Sequence, residues 1–468
     1  MSGDIRFGRR SYDPPPVVRP ANAVAADPAP ARPRPSYFTP TPPPAPVEST
    51  QAAELHGLCL SRLDAAAAAT MSPERLRTEV ERLLAEIADE RRIQFNAREQ
   101  RQLAQELVND MLGLGPLEPL LADDSITDIM VNGPERVFVE QQGRIVAVPI
   151  RFRDAQHVVR IAQRIASSVG RHVDESSPMV DARLADGSRV NIVFPPLALD
   201  GPCLSIRKFA RKIIDFERLI QFGSLNPPLA RVLEIAATAR LNVIISGGTG
   251  SGKTTLLNAM SHLIDPAERI ITIEDAAELQ LQQAHVVRLE TRPPNLEGRG
   301  EATQRELLRN ALRMRPDRII VGEVRGVEAF DMLQAMNTGH DGSMSTIHAN
   351  TARDALTRLE GMVQMSNMGQ PERSIRNQLT SAIDLIVQVE RQRDGKRRVV
   401  QVTELCGIEG DVYILSDIFI FAVSGTKADG DVEGRWRVRR YRPGFYDRLV
   451  YAGLERAWAA ALDEADPQ

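Results

Sequence analysis

Cysteine is scarce in this chain of 468 residues, which contains only Cys59, Cys203 and Cys406. The three are odd in number, lie far apart in the sequence and form no CxxC pair. This pattern argues against a disulfide framework, a four-cysteine zinc site and a thioredoxin-type redox site. Reduced thiols in a cytosolic compartment are the simplest interpretation.

Aromatic residues and an excess of positive charge are also lacking. Aromatics make up 4% of the chain, and 58 basic residues are balanced by 62 acidic ones, which gives a net charge of −4. Proteins held to nucleic acid or to a membrane by bulk charge usually carry a clear basic excess. Few aromatic rings are available for base stacking. We therefore expect no direct nucleic-acid partner.

Long hydrophobic runs are missing as well. The first ten residues, MSGDIRFGRR, are polar and charged and do not form the apolar region of a signal peptide. The apolar stretch at 412–423 is interrupted by Asp417 and is too short to cross a bilayer. We expect a cytoplasmic protein without a transmembrane segment, which partners could hold beside a membrane.

Proline is concentrated near the N-terminus, where thirteen of the 31 prolines fall between Pro14 and Pro46. This region has few large aliphatic residues and cannot bury enough surface to offset the entropy lost on ordering. Residues 1–50 are therefore predicted to be a disordered arm with polyproline II character. The arm would serve either as a passive tether or as a docking segment for another component.

Shifts in composition divide the rest of the chain. Residues 51–114 carry Leu, Ala, Glu and Arg at helical spacing and predict a three-helix bundle. Residues 115–207 contain short β-rich runs joined by Asn-Gly, Gln-Gly and Asp-Gly turns and predict an α+β domain. We expect a helical linker at 208–226, alternating buried strands and helices around a parallel sheet at 227–441, and a C-terminal tail at 442–468.

The strongest motif is a glycine-rich loop between a predicted strand and a predicted helix. Glycines let the backbone curl so that its N–H groups point at phosphate oxygens, and the helix N-terminus adds partial positive charge. The pattern predicts an ATP-binding P-loop in which Lys253 reaches the β- and γ-phosphates and Thr254 ligates Mg²⁺. The loop and the start of its helix consist of Gly247, Gly248, Thr249, Gly250, Ser251, Gly252, Lys253, Thr254 and Thr255.

Two acidic residues follow other predicted strands. Glu323 ends the apolar run RIIVGE, the form expected of a Walker B acid that holds the hydration shell of Mg²⁺. A salt-bridged surface acid is the structural alternative. Glu274 ends the run ITIE and is the candidate that orients the attacking water, because a carboxylate can accept its proton. A purely structural acid is again the alternative.

A histidine and two arginines complete the set of candidates. His348 follows a fourth predicted strand. A lone histidine is usually structural, but beside a P-loop sheet it could hydrogen-bond differently to ATP and to ADP and so sense the γ-phosphate. Arg183 and Arg189 flank a predicted Asp-Gly hairpin in the α+β domain, and nothing local explains this pair.

These motifs, in this order, resemble those of the type II/type IV secretion and pilus ATPase superfamily. The matching segments are GGTGSGKTT, ITIEDAAEL, RIIVGEVRG and GSMSTIHANT, and with flanking sequence the resemblance covers about residues 115–425. The segments DARLADGSRVNIV and LSIRKF resemble the N-terminal domain motifs of the same family. Within the superfamily, EGDVYILSDIFIF and the preceding helical region most resemble the CpaF type, the assembly ATPase of Tad/Flp (type IVc) pili.

The resemblance implies an α/β fold class. It implies a RecA-like P-loop NTPase domain with a parallel sheet, preceded by an α+β (PAS-like) N-terminal domain and a small helical bundle. It also implies a homohexameric ring in which ATP binds between the two domains and Arg183 and Arg189 complete the site. The four-cysteine metal-binding insertion of many type II secretion ATPases is absent, and the proline-rich arm has no counterpart in the shared core.

The function implied is a Mg²⁺-dependent ATPase motor docked on the inner-membrane platform proteins of a Tad-type pilus. Its hydrolysis cycle would drive pilin insertion or removal. The alternatives are an ATPase for secreted protein or conjugative DNA, and a nucleotide-binding scaffold that hydrolyses nothing. The two acids and His348 disfavour the scaffold. The pI of about 6.1 and the scarce aromatics disfavour a RecA-like nucleic-acid translocase.

Overall fold

The computed structural model describes residues 71–465 apart from 94–95, 142, 210–213, 295–298, 367–368 and 428–429, and before them residues 55, 57–59 and 61–63. The predicted disordered arm at 1–50 lies outside the described residues and stays a prediction. None of the helices in the described part of the chain is long and apolar enough to cross a membrane.

The N-terminal region of the described chain has helical residues at 55, 57–59 and 61–62, followed by two capped helices. They are α1 (Pro73–Arg91) and α2 (Ala97–Leu112). The side chain of Ser72 accepts a hydrogen bond at the start of α1, and Asn96 with Glu99 forms a reciprocal capping box at the start of α2. Their apolar faces pack on each other in a small separate core.

An antiparallel sheet follows. Its strands are β1 (Ile126–Asn132), β2 (Val137–Gln141), β3 (Arg144–Val148), β4 (Met179–Arg183), β5 (Arg189–Val193) and β6 (Cys203–Arg207). Within the described residues the strand order is β3-β2-β1-β6-β5-β4. A short helix, α3 (Glu118–Ala122), leads into the sheet, and α4 (Ala155–Ser168) packs its buried face against it. The β4–β5 hairpin pairs Arg183 with Arg189, so the two candidate arginines lie side by side.

A second, larger sheet carries the rest of the described chain. Its strands are β7 (Val243–Gly247), β8 (Ile270–Glu274), β9 (Val286–Glu290), β10 (Arg318–Val321), β11 (Met344–Ile347), β12 (Leu385–Arg391), β13 (Arg397–Glu409), β14 (Val412–Thr426) and β15 (Val432–Val438). Across the ranges given above, their order is β15-β14-β13-β12-β7-β11-β10-β8-β9. The pairs from β12 to β9 are parallel, and those from β15 to β12 are antiparallel.

Helices cover both faces of this sheet. They are α5 (Phe216–Gln221), α6 (Pro227–Thr238), α7 (Lys253–Ser261), α8 (Gln304–Ala311), α9 (Glu328–Asn337), α10 (Ala352–Met365) and α11 (Glu372–Ala382). Along β7, Val243 and Ile245 enter the core shared with α6 and α7, whereas Ile244 enters the core shared with α8 to α11. Because both faces of these strands pack against apolar side chains, their sequences are continuous hydrophobic runs. The predicted α/β fold class is confirmed.

The C-terminal segment differs from the tail expected at 442–468. Up to residue 465 it forms two helices, α12 (Tyr446–Tyr451) and α13 (Glu455–Ala465), and α13 packs on α6. Trp458 is buried, and its ring makes an edge contact with Phe445, with the ring centroids 5.4 Å apart. The apolar side chains of this segment thus belong to the same core as the P-loop helix α7.

The strand order decides where the candidate residues meet. Strands β7, β11, β10 and β8 are consecutive and parallel, so their carboxyl ends lie along one edge of the sheet. Lys253, His348, Glu323 and Glu274 follow or end these four strands in the same order. Ligand sites of such sheets lie outside the carboxyl ends of the strands.

Candidate nucleotide-binding site

The P-loop has the strand, loop and helix that its pattern requires, with β7 ending at Gly247 and α7 beginning at Lys253. Gly250 and Gly252 have φ angles of 67° and 101°, in the left-handed region that side chains rarely adopt. A Cβ on Gly247 would lie 2.3 Å from the carbonyl oxygen of Val389. The loop therefore needs glycine at these three positions, two for backbone conformation and one for close packing.

Lys253 lies over the loop that it follows. Its Nζ donates to the carbonyl oxygens of Gly247 and Gly248 at 3.0 and 2.9 Å. The same atom is 3.4 Å from Nε2 of His348. The side chain is 7% exposed, and burial lowers the pKa of its ammonium group. A buried cation held by loop carbonyls is well placed to exchange these contacts for contacts with phosphate oxygens. The residues present therefore fit a nucleoside triphosphate.

Glu274 is the most buried acid of the site, at 3% exposure. Its Oε2 accepts hydrogen bonds from the backbone N–H groups of Glu278 and Leu279 at 2.7 and 2.8 Å. Its Oε1 is buried and has no hydrogen-bond partner among the described residues. Burial raises the pKa of the Glu274 carboxyl group. A carboxylate with one unused oxygen and a raised pKa has the properties of a general base.

The surroundings of Glu323 shift its pKa in the opposite direction. Its Oε1 lies 3.1 Å from Nε2 of His348, and its Oε2 accepts a hydrogen bond from Nη2 of Arg325 at 2.8 Å. Although burial acts to raise the pKa of Glu323, the Arg325 hydrogen bond and the neighbouring positive charges hold it below its ordinary value. Burial and the charge of Lys253 lower the pKa of His348. Near pH 7, Glu323 is therefore ionised and His348 is neutral.

Mg²⁺ fits the oxygen ligands at this edge. Thr254 follows Lys253 at the start of α7 and offers a hydroxyl, and Glu323 offers an ionised carboxylate. Mg²⁺ is usually bound by one or two carboxylates together with substrate phosphates and water. This donor set suits a metal ion that is bound together with a phosphorylated substrate.

Arg325 was missed by sequence reasoning although it stands in the RIIVGEVRG motif. Besides Glu323 it contacts Asp275, with Nη1 and Oδ2 separated by 3.1 Å. It therefore bridges the ends of two strands, β10 and β8. The available signal was its position two residues after the Walker B acid, but its partner on the other strand emerges only from the fold.

The two candidate arginines contact the domain of the larger sheet, but at the segment after β8 and at the end of β9, not at the P-loop. Arg183 donates to Oε2 of Glu290 at 2.6 Å and to the carbonyl oxygen of Ala277 at 2.7 Å. Arg189 donates to the carbonyl oxygen of Ala276 at 2.9 Å and lies 3.1 Å from Oε1 of Glu278. Both arginines thus hold the segment that follows Glu274.

A cavity of about 810 Å³ separates the two sheets at this position. Its lining includes Arg183, Arg189, Asp275 and Arg207, the last residue of β6. Burial is the main cause of the lowered pKa of Lys253, and the positive charge of Arg207 lowers it further. Arg207 was also missed as a site residue, although it lies in the LSIRKF motif.

Known proteins resemble this chain over its two sheets. The family model described as type II/IV secretion system protein matches residues 110–417. A putative conjugal transfer protein of Mycobacterium tuberculosis (strain H37Rv) is 42% identical over 312 residues, 65% of this chain and 88% of that protein. The conjugal transfer protein TrbB of Rhizobium radiobacter is 35% identical over 294 residues, 62% and 86% of the two chains. The type IV secretion system protein PtlH of Bordetella pertussis is 38% identical over 317 residues, 62% and 93%.

Solved structures give similar matches. The VirB11 ATPase from the Brucella suis type IV secretion system is 31% identical and covers 62% of this chain and 95% of its own, with a TM-score of 0.34. The pilus retraction motor PilT with bound ADP is 19% identical and covers 73% and 94%, with a TM-score of 0.44.

Replacing Glu274 by glutamine should change the pH dependence of stability. Burial raises the pKa of Glu274 in the folded protein above its value in the unfolded chain, so ionised Glu274 destabilises the fold at high pH. We expect Glu274→Gln to increase the free energy of unfolding at about pH 8. The gain should shrink as pH falls toward the ordinary value of 4.5.

Urea denaturation at several pH values measures this effect. Glu301→Gln is the matched control, because Glu301 is an exposed acid of the same sheet domain. It should leave the pH profile of the wild type unchanged. A loss of stability in Glu274→Gln at every pH would mean that the ionised carboxylate is favoured by its surroundings.

Proposed function

Because the chain belongs to the type II/IV secretion system protein family and is an ATPase, we propose that it is the hexameric motor of a Tad/Flp (type IVc) pilus. The observation that supports a motor is the meeting of Lys253, His348, Glu323 and Glu274 at one sheet edge, beside arginines supplied by a second domain. The hydrolysis cycle of this motor would drive pilin insertion or removal at the cytoplasmic face of the inner membrane.

Each strand end would contribute one part of the reaction. Lys253 would exchange its contacts with the loop carbonyls for contacts with the β- and γ-phosphates. Glu274 would orient the attacking water through its free Oε1 and accept the proton. Glu323 and Thr254 would hold Mg²⁺, which neutralises charge on the phosphates when it is bound.

His348 would report whether the γ-phosphate is present. Its Nε2 lies 3.1 Å from the carboxylate oxygen Oε1 of Glu323, and its Nδ1 lies 3.5 Å from the ammonium nitrogen of Lys253. Because its pKa is lowered, the ring is neutral and can donate with one nitrogen and accept with the other. A change in the position of Lys253 on hydrolysis would therefore change the hydrogen bonds of His348.

Arg183 and Arg189 would couple the two domains to the chemistry. They hold the backbone between Ala276 and Glu278, and the N–H groups of Glu278 and Leu279 hold the carboxylate of Glu274. In a ring of subunits, movement of the α+β domain would thus reach the catalytic acid. Arg207 lines the same cavity, and its charge lowers the pKa of Lys253; it would approach the phosphates when the domains close.

A second candidate function keeps the ATPase and changes the cargo. The relatives over 30% identical include proteins named for conjugal transfer and for type IV secretion. These names favour an ATPase that moves protein or conjugative DNA. The pilus proposal depends instead on the resemblance of the segment 409–421 to the Tad-type motors.

Lys253→Ala should abolish hydrolysis, and Glu274→Gln should stop turnover while ATP still binds. Losing a single positioned charge-stabilising donor costs about 10²- to 10³-fold in rate at comparable sites. Turnover is measured by phosphate release, and binding by titration of a fluorescent ATP analogue. Lys427→Ala, at an exposed lysine after β14, is the matched control. Turnover of Lys253→Ala above about a tenth of wild type would remove the role assigned to the P-loop.

Arg183→Ala and Arg189→Ala should bind ATP and lose most of their turnover, because the segment that supports Glu274 is released. Wild-type turnover per subunit should also rise with protein concentration as rings form. A dilution series with native mass measured alongside tests both expectations, and Arg144→Ala serves as the exposed control on the same domain. A monomer with a flat activity profile, together with fully active arginine variants, would refute the ring mechanism.

Deleting the gene should remove surface pili, and a copy with Lys253→Ala should fail to restore them. Electron microscopy of the cells gives the first readout. The frequency of plasmid transfer and the amount of secreted protein give the second. Intact pili combined with a loss of DNA transfer or of secretion would assign the motor to the second candidate function.

A further inference from the structure

The turn between β12 and β13 lies directly beside the P-loop. Strand β12 runs parallel to β7, and its residue Val389 pairs with Gly247, the first residue of the loop. The chain then turns at 392–396 and returns as β13, which begins at Arg397. The register of the sheet therefore fixes this turn, here called the 391–397 hairpin turn, against the phosphate-binding loop.

Arg397 lies beside both left-handed glycines of the loop. Its Nε donates to the carbonyl oxygen of Gly250 at 2.9 Å. Its Cδ would lie 3.4 Å from a Cβ placed on Gly252. The C=O of Gly250 and the N–H of Ser251 belong to one rigid peptide plane. The hydrogen bond from Arg397 thus sets the orientation of a peptide group inside the loop.

Arg391 extends the same turn to the α+β domain. Its Nη2 donates to the carbonyl oxygen of Gly143 at 2.6 Å, and its Nη1 lies 3.8 Å from Oε1 of Glu140. These residues are at the β2–β3 turn of the smaller sheet. One short segment therefore bridges the P-loop and the second domain through two arginines six residues apart.

The turn is stiffened from within. Asp394 and Arg398 form an ion pair at 2.8 Å, and their side chains are almost fully buried. The carboxylate of Asp394 also accepts hydrogen bonds from the backbone N–H groups of Lys396 and Val432 at 2.9 and 3.0 Å. These bonds hold the turn to β13 and β15, so it moves as a unit and a displacement at one arginine is passed to the other.

We propose that the 391–397 hairpin turn couples the conformation of the P-loop to the position of the α+β domain. Arg397 holds the loop in its phosphate-binding shape, and Arg391 ties the turn to the β2–β3 turn. Both are positioning residues that act through the loop. The proposal rests on nucleotide binding at the P-loop and adds a second route of domain coupling, separate from Arg183 and Arg189.

The experiment compares arginine variants of the turn in the full-length protein. Arg397→Met keeps the apolar stem and removes the donor, and Arg397→Lys restores a donor. Arg391→Met removes the bridge to Gly143. Arg393→Met is the matched control, because Arg393 is an exposed arginine of the same turn. Nucleotide affinity is measured with a fluorescent ATP analogue, and KM and kcat are measured by phosphate release.

Arg397→Met should weaken nucleotide binding by about tenfold, the effect of losing one charged hydrogen bond. KM should rise by more than kcat falls, and Arg397→Lys should recover most of the affinity. Arg391→Met should weaken binding by about threefold. The effect is smaller than that of Arg397→Met because Arg391 acts on the P-loop only through the turn. Hydrogen exchange at the amides of 247–254 should become faster in both variants, with the melting temperature unchanged.

The double variant tests the linkage itself. If the two arginines act through one turn, Arg391→Met adds no further loss once Arg397 is replaced. Full additivity, or an Arg397→Met protein that binds like Arg393→Met, would overturn the proposal. Wild-type protein that binds no nucleotide would instead contradict the P-loop assignment, so the two failures are distinguishable.

Discussion

The order of the parallel strands is the constraint on which the site depends. Lys253, His348, Glu323 and Glu274 are spread over 96 positions of the sequence, and they meet because β7, β11, β10 and β8 are neighbours in that order. A different order would leave each residue at a strand end but far from the others. The two apolar cores on the faces of the sheet maintain this order, since every residue of these strands is buried.

The two carboxylates at this edge show how surroundings divide one chemical group into two roles. Glu274 is 3% exposed and accepts hydrogen bonds from two backbone N–H groups, and burial raises its pKa. Glu323 accepts a hydrogen bond from Arg325, and this bond together with the charges of Arg325 and Lys253 outweighs burial and lowers its pKa. One acid is therefore prepared to take up a proton, while the other keeps its charge and suits a cation.

The sequence predicted what local patterns encode, and the P-loop, Glu274, Glu323 and His348 all follow apolar runs that end at polar residues. It did not predict Arg325 or Arg207, because their partners are set by strands that are distant in sequence. The contacts of Arg397 and Arg391 were missed for the same reason. The packing of the segment predicted as a tail at 442–468 also depends on residues that are distant in sequence, because α13 packs on α6.

The hydrogen bonds between the smaller sheet and the segment that follows Glu274 have a mechanical consequence. Arg183 and Arg189 hold carbonyl oxygens of the same short loop whose N–H groups hold the carboxylate of Glu274. A force that pulls the α+β domain away would loosen this loop before it disturbed the sheet, because the strands are tied by their own ladder of hydrogen bonds. In the proposed motor, a load on the α+β domain would therefore slow ATP hydrolysis without unfolding the protein.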